Sequence, residues 1–101
     1  MKDKVYSVPE IKQKITPILK KSKVRRAVLF GSYAKGNPTP ASDIDIYIDS
    51  EGVLNGFNFF AVYEVVEKKL KKKIDLIEAM DVKKDSKIYN EIVNHGVIIY
   101  E

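Results

Sequence analysis

A chain of 101 residues with a formal net charge of +4 has room for one small domain and one hydrophobic core. The absence of cysteine excludes disulfide bonds and thiolate metal sites. No apolar run approaches the roughly 20 residues that a membrane-spanning helix needs, and no apolar segment of a signal peptide follows the N-terminal charges. We therefore expect residues 1–101 to form a single cytoplasmic domain without a membrane partner.

The first predicted element is a helix over residues 8–21. Ser7 and Glu10 have the spacing of a capping box, and apolar side chains follow at helical intervals. Pro17 removes one backbone hydrogen bond, so we expect it to kink or split this helix. Residues 24–30 then read as the first strand, and their apolar second half is typical of a strand buried on both faces.

A glycine ends this strand. Residues 31–36 are predicted to form a tight turn followed by one helical turn, and residues 36–42 a loop. Residues 43–49 alternate with isoleucine at every second position, which predicts the second strand. The side-chain period of two places the isoleucines on the core face and Asp43 and Asp45 together on the other face.

The rest of the chain alternates helix and strand. A helix is predicted over residues 57–70, a strand over 73–77, a helix over 83–95 and a closing strand over 97–100. The residues predicted to face inward are Phe59, Phe60, Tyr63, Val66 and Leu70 in the first of these helices, and Ile88, Tyr89, Ile92 and Val93 in the second. The order α-β-turn-β-α-β-α-β predicts an α/β (α+β) fold in which helices pack on a small mixed sheet.

Lysines and arginines cluster at residues 20–26 and again at 68–73. Such clusters form either a surface for a polyanion or acidic partner, or solvated helix ends where cations are favourable. The second interpretation is the simpler one. Neither cluster has interleaved aromatic residues that could stack on bases, so we do not expect nucleic acid as a partner.

Asp43 and Asp45 carry the first chemical signal. Strand geometry points both carboxylates the same way, about 7 Å apart along the backbone. Like charges this close repel each other, and a divalent cation that prefers hard oxygen ligands, Mg²⁺ or Mn²⁺, would relieve the repulsion. Solvated acids that protect an edge strand against aggregation are the alternative interpretation.

The Gly31-Ser32 turn strengthens the metal interpretation. Gly31 allows a sharp turn and a close approach of ligand to backbone, and Ser32 can open a helical turn whose free N–H groups bind phosphate. Lys35 could neutralise further charge on a triphosphate. A plain turn with Lys35 in solvent is the alternative. The specific feature is the combination of a buried strand, Gly-Ser, ten residues and Asp-x-Asp.

Asp75 is the third candidate acid. It interrupts a short apolar strand, and a polar residue in such a pattern is a signal of a functional site. A position on the solvated face of the strand would explain it equally well. Together with Asp43 and Asp45, it would complete a set of three carboxylates able to hold two cations across one phosphate group.

Gly31-Ser32, ten residues and then Asp43-Ile44-Asp45 resemble the GS-x10-D-x-D signature of the DNA polymerase β-like nucleotidyltransferase superfamily. The chain also resembles the minimal nucleotidyltransferases, in the longer segment GSYAKGNPTPASDIDIYI, in its short length and in Asp75. These are found beside HEPN-domain proteins in prokaryotic toxin–antitoxin pairs. The resemblance covers nearly the whole chain and implies a small mixed sheet with helices on one side.

The resemblance also implies roles for the marked residues. Gly31 and Ser32 would hold the triphosphate, Asp43 and Asp45 would bind Mg²⁺, and Asp75 would help bind metal and activate the attacking hydroxyl. The implied reaction transfers AMP from ATP to a hydroxyl and releases pyrophosphate. In the antitoxin members the acceptor is a tyrosine of the HEPN toxin, so we expect a metal-dependent nucleotidyltransferase with such a toxin as its partner.

One departure from the family pattern concerns Tyr33 and Lys35. Many members carry arginine at the first position and often at the second, so these two side chains would have to replace arginines here. One alternative is therefore a binding module that neutralises the toxin by contact alone. Another is a transferase that acts on a small molecule or on nucleic acid. The base preference, the acceptor residue, the number of metals and homo-oligomerisation stay open at this point.

Overall fold

The computed structural model describes residues 4–101. In chain order the elements are α1 (Val8–Lys21), β1 (Arg26–Phe30), α2 (Gly31–Lys35), β2 (Ile44–Asp49), α3 (Gly56–Leu70), β3 (Ile74–Glu78), the 3-10 turn Ala79–Asp81, α4 (Lys87–His95) and β4 (Val97–Tyr100). This order confirms the predicted one. In the part of the chain that the structure describes, no helix combines the length and the apolar character needed to cross a bilayer.

The four strands of the described chain form a mixed sheet in the order β3-β2-β1-β4. Strand β1 pairs antiparallel with both β2 and β4, whereas β2 and β3 run parallel. A parallel pair requires a crossover connection, and α3 provides it. The two strands that carry the predicted acids therefore lie side by side and begin at the same edge of the sheet.

Helix α1 begins with the predicted capping box. The Ser7 hydroxyl oxygen accepts a hydrogen bond from the backbone N–H of Glu10 at 3.2 Å, and the Glu10 carboxylate accepts one from the Ser7 N–H at 2.9 Å. The helix continues through Pro17, so the predicted split does not occur. Proline removes a single hydrogen bond to the Gln13 carbonyl, and because both residues are exposed, water can hydrate that carbonyl.

One face of the sheet, here called the core face, packs against α1 and α3. Its three β2 isoleucines, Ile44, Ile46 and Ile48, are each 0% exposed, as their alternation predicted. They pack with Ala27 and Leu29 of β1 and with the buried stripes of both helices. Since burial of one such side chain stabilises the fold by about 1.5–3 kcal/mol, this layer accounts for much of the stability.

The opposite face, here called the acid face, is covered in part by α4. Val28 and Phe30 of β1 lie on this face, and Ile92 of α4 packs against them. The expectation that helices lie on one side of the sheet is therefore wrong for α4. The reason lies in β1, where four consecutive residues are buried. A strand that is apolar on both faces needs a cover on both.

The inward stripe of α3 differs from the predicted one. It consists of Val62, Val66 and Leu70, which recur every four residues and are buried. Phe59 and Tyr63 lie beside this stripe, partly buried. Phe60, predicted to face inward, is 57% exposed and stacks on the ring of Tyr63 at a centroid distance of 6.3 Å. The prediction is therefore confirmed for Val66 and Leu70, whereas it missed Val62 and was wrong for Phe60.

Helix α4 is shorter than predicted. It starts at Lys87 because the Ser86 hydroxyl caps it, accepting a hydrogen bond from the backbone N–H of Tyr89 at 3.1 Å. Ile92 is its buried residue. Ile88 and Val93, predicted to face inward, are 43% and 62% exposed. A nine-residue helix packed on one face of a sheet buries a narrow stripe, so its flanking apolar residues stay in solvent.

Candidate active site

The first residues of β2 and β3 bring two predicted carboxylates together. Asp45 and Asp75 are register partners in the parallel pair. Neighbouring strands lie about 4.8 Å apart, and paired residues point to the same face. Both carboxylates therefore lie on the acid face as neighbours, with Asp45 half-buried and Asp75 exposed.

Asp43 directly precedes β2 and is half-buried. Its Oδ2 atom lies 4.0 Å from the Lys73 ammonium, a loose ion pair near solvent. The loop before it is tied into a turn, in which the Ser42 N–H donates to the Thr39 carbonyl and the Thr39 N–H donates to the Ser42 hydroxyl, both at 2.9 Å. This turn fixes the path along which Asp43 enters the site.

Gly31 brings the predicted phosphate-binding turn against these acids. Its φ of +72° lies in the left-handed region, and a Cβ at this position would collide with the Asp45 carboxylate. Both conditions require glycine. Ser32 follows, half-buried, in the first turn of α2. The structure thus places Gly31 directly beside Asp45, although a loop separates them along the chain, and Ser32 is the next residue after Gly31.

The carboxyl group of Asp45 is the most perturbed titrating group of this site. Burial, followed by the charges of Asp75, Asp43 and Glu91, raises its pKa to about 6. The physical cause is that a half-buried carboxylate loses solvation and faces three other negative charges. Either a proton or a cation relieves this excess, and near neutral pH the excess attracts cations.

The donor set fits a divalent metal in its chemistry. Carboxylate oxygens are the ligands that Mg²⁺ and Mn²⁺ prefer. Within residues 4–101, however, no three acidic, cysteine or histidine side chains converge into a closed metal cluster. Asp75 is exposed, and Asp43 lies near a lysine. The site is an open set of carboxylates, which suits Mg²⁺ because this ion keeps several waters and shares its shell with substrate phosphates.

A fourth acid, Glu91 of α4, was missed in the sequence. Its Oε1 atom lies 2.8 Å from the Lys35 ammonium, and its charge contributes to the raised pKa of Asp45. Lys35, predicted to neutralise a triphosphate, is therefore paired with a carboxylate at the border of the site. Glu91 precedes Ile92, the residue that packs α4 onto the acid face. No local pattern reveals which face of a sheet a helix covers, so the sequence carried no clear signal for Glu91.

Tyr33 does not take the place of an arginine in the site. Its side chain is 3% exposed and packs in the cluster of the core face. Burial raises the pKa of its phenol, and the nearby backbone of Tyr6 opposes this rise. Among residues 4–101 the hydroxyl makes no hydrogen bond of standard geometry. The expectation that Tyr33 and Lys35 together replace two arginines is wrong for Tyr33, because α2 turns this side chain into the core.

The family of the chain follows from sequence comparison. A sequence model of the family described as Polymerase beta, Nucleotidyltransferase matches residues 13–101. This chain belongs to the polymerase beta nucleotidyltransferase family. The predicted enzyme class, a nucleotidyltransferase, is therefore confirmed.

Two relatives of this nucleotidyltransferase come from Methanocaldococcus jannaschii, and both are named as candidate protein adenylyltransferases. One is 44% identical over 75 residues, which cover 69% of this chain and 73% of that protein. The other is 51% identical over 43 residues, which cover 43% of this chain and 46% of that protein. The second match thus spans less than half of either chain.

Several solved structures have a similar fold. A candidate minimal nucleotidyltransferase is 14% identical with a TM-score of 0.76, covering 91% of this chain and 95% of that one. A toxin–antitoxin structure with AMP-PNP is 23% identical with a TM-score of 0.76, covering 88% and 72%. The complex of tri-AMPylated Shewanella oneidensis HEPN toxin with MNT antitoxin is 20% identical with a TM-score of 0.71, covering 92% and 71%. These likenesses confirm the predicted fold.

Proposed function

We propose that this nucleotidyltransferase is a metal-dependent protein adenylyltransferase that transfers AMP from ATP to a tyrosine of a HEPN toxin and thereby acts as its antitoxin. The observation that carries the proposal is the contact of the Gly31 turn with Asp45, which is itself paired in register with Asp75. The Gly31 turn, to which we assign phosphate binding, and the carboxylates thus lie next to each other at one edge of the sheet. In this proposal, residues 1–101 act as one nucleotidyltransferase domain.

The side chains divide the work by position. Asp43, Asp45 and Asp75 would hold Mg²⁺ or Mn²⁺, while the turn at Gly31 and Ser32 would hold the triphosphate. Bound divalent cations would neutralise charge on the reacting phosphate and on the departing pyrophosphate. The ammonium of Lys35 lies 2.8 Å from the Glu91 carboxylate, and we infer that ATP phosphates and Glu91 compete for this cation.

Asp75 is suited to the role of base because it is the exposed member of the set. An acceptor tyrosine from a partner can reach it without displacing the buried part of the site. The tyrosine oxygen bonds to the α-phosphorus of ATP, the bond between the α-phosphorus and the bridging oxygen breaks, and pyrophosphate leaves. The phenolic proton passes to the Asp75 carboxylate, which acts as the general base of the transfer.

The partner is supported by the relatives rather than by this chain's own contacts. Two relatives bear names that indicate protein adenylylation, and one structure of the same fold is an antitoxin with an AMPylated HEPN toxin. A HEPN protein from the same genome is therefore the substrate to test.

The test combines the purified chain with that HEPN protein, ATP and Mg²⁺, followed by intact-mass measurement of both proteins. We expect an AMP-sized mass gain on the HEPN protein that disappears in EDTA and in Asp43→Asn. The matched control is Asp81→Asn, the same chemical change at an exposed carboxylate in the 3-10 turn. Absence of any AMP transfer by the wild type under these conditions contradicts the proposal.

The second candidate is an antitoxin that neutralises by contact alone. The pairing of Lys35 with Glu91 and the burial of Tyr33 favour it, because neither residue offers a free cation to the triphosphate. Toxin neutralisation that persists without ATP and in Asp43→Asn supports this candidate. Neutralisation that requires both ATP and Asp43 supports the adenylyltransferase.

A further inference from the structure

Lys72 is a buried lysine at the junction between α3 and β3. Its residue is 8% exposed, and its ammonium donates hydrogen bonds to the Pro40 carbonyl at 2.9 Å and to the Lys4 carbonyl at 2.8 Å. These acceptors lie 32 and 68 residues away along the chain. One side chain therefore ties the loop before β2 and the N-terminal segment to the start of β3.

The hydrogen bond from Lys72 to the Pro40 carbonyl lies just before Asp43 in the chain. Pro40 belongs to the Thr39–Ser42 turn, and Asp43 follows this turn directly. The turn lies on the protein surface, where Thr39, Pro40 and Ala41 are exposed. The bond from Lys72 is thus an internal anchor that ties this hydrogen-bonded turn to the junction between α3 and β3.

The backbone of the same junction sets the register between the two acidic strands. The Ile44 N–H donates to the Lys73 carbonyl at 3.1 Å, which starts the pairing of β2 with β3. From there the register places Asp45 opposite Asp75. Lys72 immediately precedes this first bond, so its backbone leads into the strand of Asp75 while its side chain holds the loop of Asp43.

A second anchor keeps the junction itself in place. The Tyr6 hydroxyl donates to the Leu70 carbonyl at 2.6 Å in a buried contact. The N-terminal segment therefore packs against the end of α3 from both Lys4 and Tyr6. Lys72 is held by this segment on one side and holds the loop on the other.

The choice of lysine at this position needs a reason other than packing. Burial of an ammonium group costs free energy unless carbonyls or charges compensate it, and an apolar side chain of similar length avoids that cost. Methionine has a comparable length and would fill the same space. The ammonium of Lys72 holds the Pro40 and Lys4 carbonyls, and an apolar side chain cannot make these contacts.

We propose that Lys72 is a positioning residue that fixes Asp43 relative to Asp45 and Asp75 and so sets the affinity of the site for its divalent cation. The inference rests on the proposed function, because it assumes that these carboxylates bind metal. Lys72 contacts the loop at the Pro40 carbonyl and acts on the position of Asp43 through the backbone of residues 40–43. Its loss should weaken metal binding while the ATP-binding turn at Gly31 keeps its geometry.

The test uses Lys72→Met, with Lys69→Met as the matched control. Lys69 is exposed on the last turn of α3, so the control removes the same charge without touching the loop. Mn²⁺ binding to each protein alone is measured by electron paramagnetic resonance, without ATP or partner. We expect Lys72→Met to weaken Mn²⁺ binding by about 10- to 100-fold, the usual effect of losing a group that orients metal ligands. Lys69→Met should bind Mn²⁺ as the wild type does.

Activity gives a second readout that a purely structural role would not produce. With the HEPN substrate, Lys72→Met should raise the Mg²⁺ concentration for half-maximal rate by a similar factor and leave the KM for ATP nearly unchanged at saturating Mg²⁺. Amide hydrogen exchange should rise at residues 39–44 and stay unchanged in α1. If Lys72→Met does not fold, Lys72→Arg, which keeps the charge but cannot place a single ammonium between the two carbonyls, carries the same expectations with a smaller effect.

The outcomes separate this inference from the proposed function. Wild-type Mn²⁺ affinity in a folded Lys72→Met overturns the role of Lys72, and so does a wild type that binds no Mn²⁺. If Mn²⁺ binding weakens as expected but no AMP transfer is detected with any HEPN substrate, the proposed reaction fails and the positioning role stands.

Discussion

The two faces of the sheet show how one strand can serve stability and chemistry at the same time. On the core face, Ile44, Ile46 and Ile48 of β2 are fully buried beneath α1 and α3. On the acid face, the alternating residues are half-buried, and Asp45 is surrounded by negative charge. The core face is packed in the folded chain as it stands, whereas the acid face carries an excess of negative charge that the proposed cations would neutralise. Substitutions on the two faces should therefore separate stability from activity.

The largest effect is expected for Asp45→Asn, which removes the central carboxylate of the acid face. AMP transfer should fall by about 10³-fold, in the range of losing a principal electrostatic group of an active site. The stability of the protein in EDTA should rise, because the change removes repulsion among four acids. Quantitative mass spectrometry and urea unfolding measure the two effects. Loss of both activity and stability would mean that Asp45 holds the fold rather than the cation.

On the core face, Ile46→Ala should have the opposite profile. This residue neighbours Asp45 in the chain but is 0% exposed, and its truncation leaves a cavity. We expect a loss of about 3 kcal/mol in the free energy of unfolding, within the usual range for isoleucine in a core. AMP transfer by the remaining folded protein should stay within about threefold of the wild type, since cavity effects are local. A strongly reduced rate per folded molecule would show that the two faces are coupled.

The pH dependence of stability should carry the signature of Asp45. Its folded pKa of about 6 exceeds the ordinary value of 3.8, so its contribution to stability is fully present below pH 3.8 and is lost as pH rises through 6. In EDTA, the free energy of unfolding of Asp45→Asn relative to the wild type should therefore increase between pH 4 and pH 7. The increase should be about 1–2 kcal/mol after allowance for solvent screening. Urea unfolding of both proteins across this range measures the gain. A difference that does not change with pH contradicts the raised pKa.

The ion pair between Lys35 of α2 and Glu91 of α4 provides a test at the border of the site. If ATP competes with Glu91 for this lysine, Glu91→Gln should lower the KM for ATP and Lys35→Met should raise it, each by about fivefold or 1 kcal/mol. Glu64→Gln on the exposed side of α3 is the control for lost negative charge. Steady-state AMP transfer at saturating Mg²⁺ provides the KM values. If both variants raise the KM, the ion pair itself shapes the site and no competition occurs.

The smallest effect is expected for Tyr33→Phe. The hydroxyl lost in this change is buried and makes no hydrogen bond of standard geometry among the described residues, although the backbone of Tyr6 lies close enough to affect its pKa. Removal of such a weakly bonded group is close to neutral. The free energy of unfolding should change by less than about 1 kcal/mol, and AMP transfer should be unaffected. Urea unfolding and the mass-based assay decide both points. A clear loss of activity would mean that Tyr33 contributes to the site after all.

Several features of the fold were readable from local sequence patterns. The alternation in residues 43–49 predicted the strand, its buried isoleucines and its shared acid face, because a period of two is a property of the backbone itself. The capping box at Ser7 and Glu10 likewise depends on atoms within one helical turn. The proline in α1 was less predictable, since its effect depends on whether water reaches the freed carbonyl.

The candidate site was only partly readable in the same way. Asp75 could be marked as unusual within an apolar strand, but its position opposite Asp45 depends on the register of a parallel pair that is joined by a long crossover. No comparable signal in the sequence pattern distinguished Glu91 or Lys72. Both contact segments far away along the chain, and a lysine or glutamate in a helix or loop is ordinary until its neighbours are known.

The sequence by itself determined the order of the elements, the buried stripe of β2 and the spacing of Gly-Ser and Asp-x-Asp, because these depend on periodicity and short-range geometry. The tertiary structure alone decided that α4 covers the acid face, that Tyr33 turns into the core, that Lys35 pairs with Glu91 and that Lys72 anchors the loop of Asp43. The physical reason is the same in each case. Periodicity tells which residues of an element share a face, but which faces meet is set by packing among segments distant in the chain.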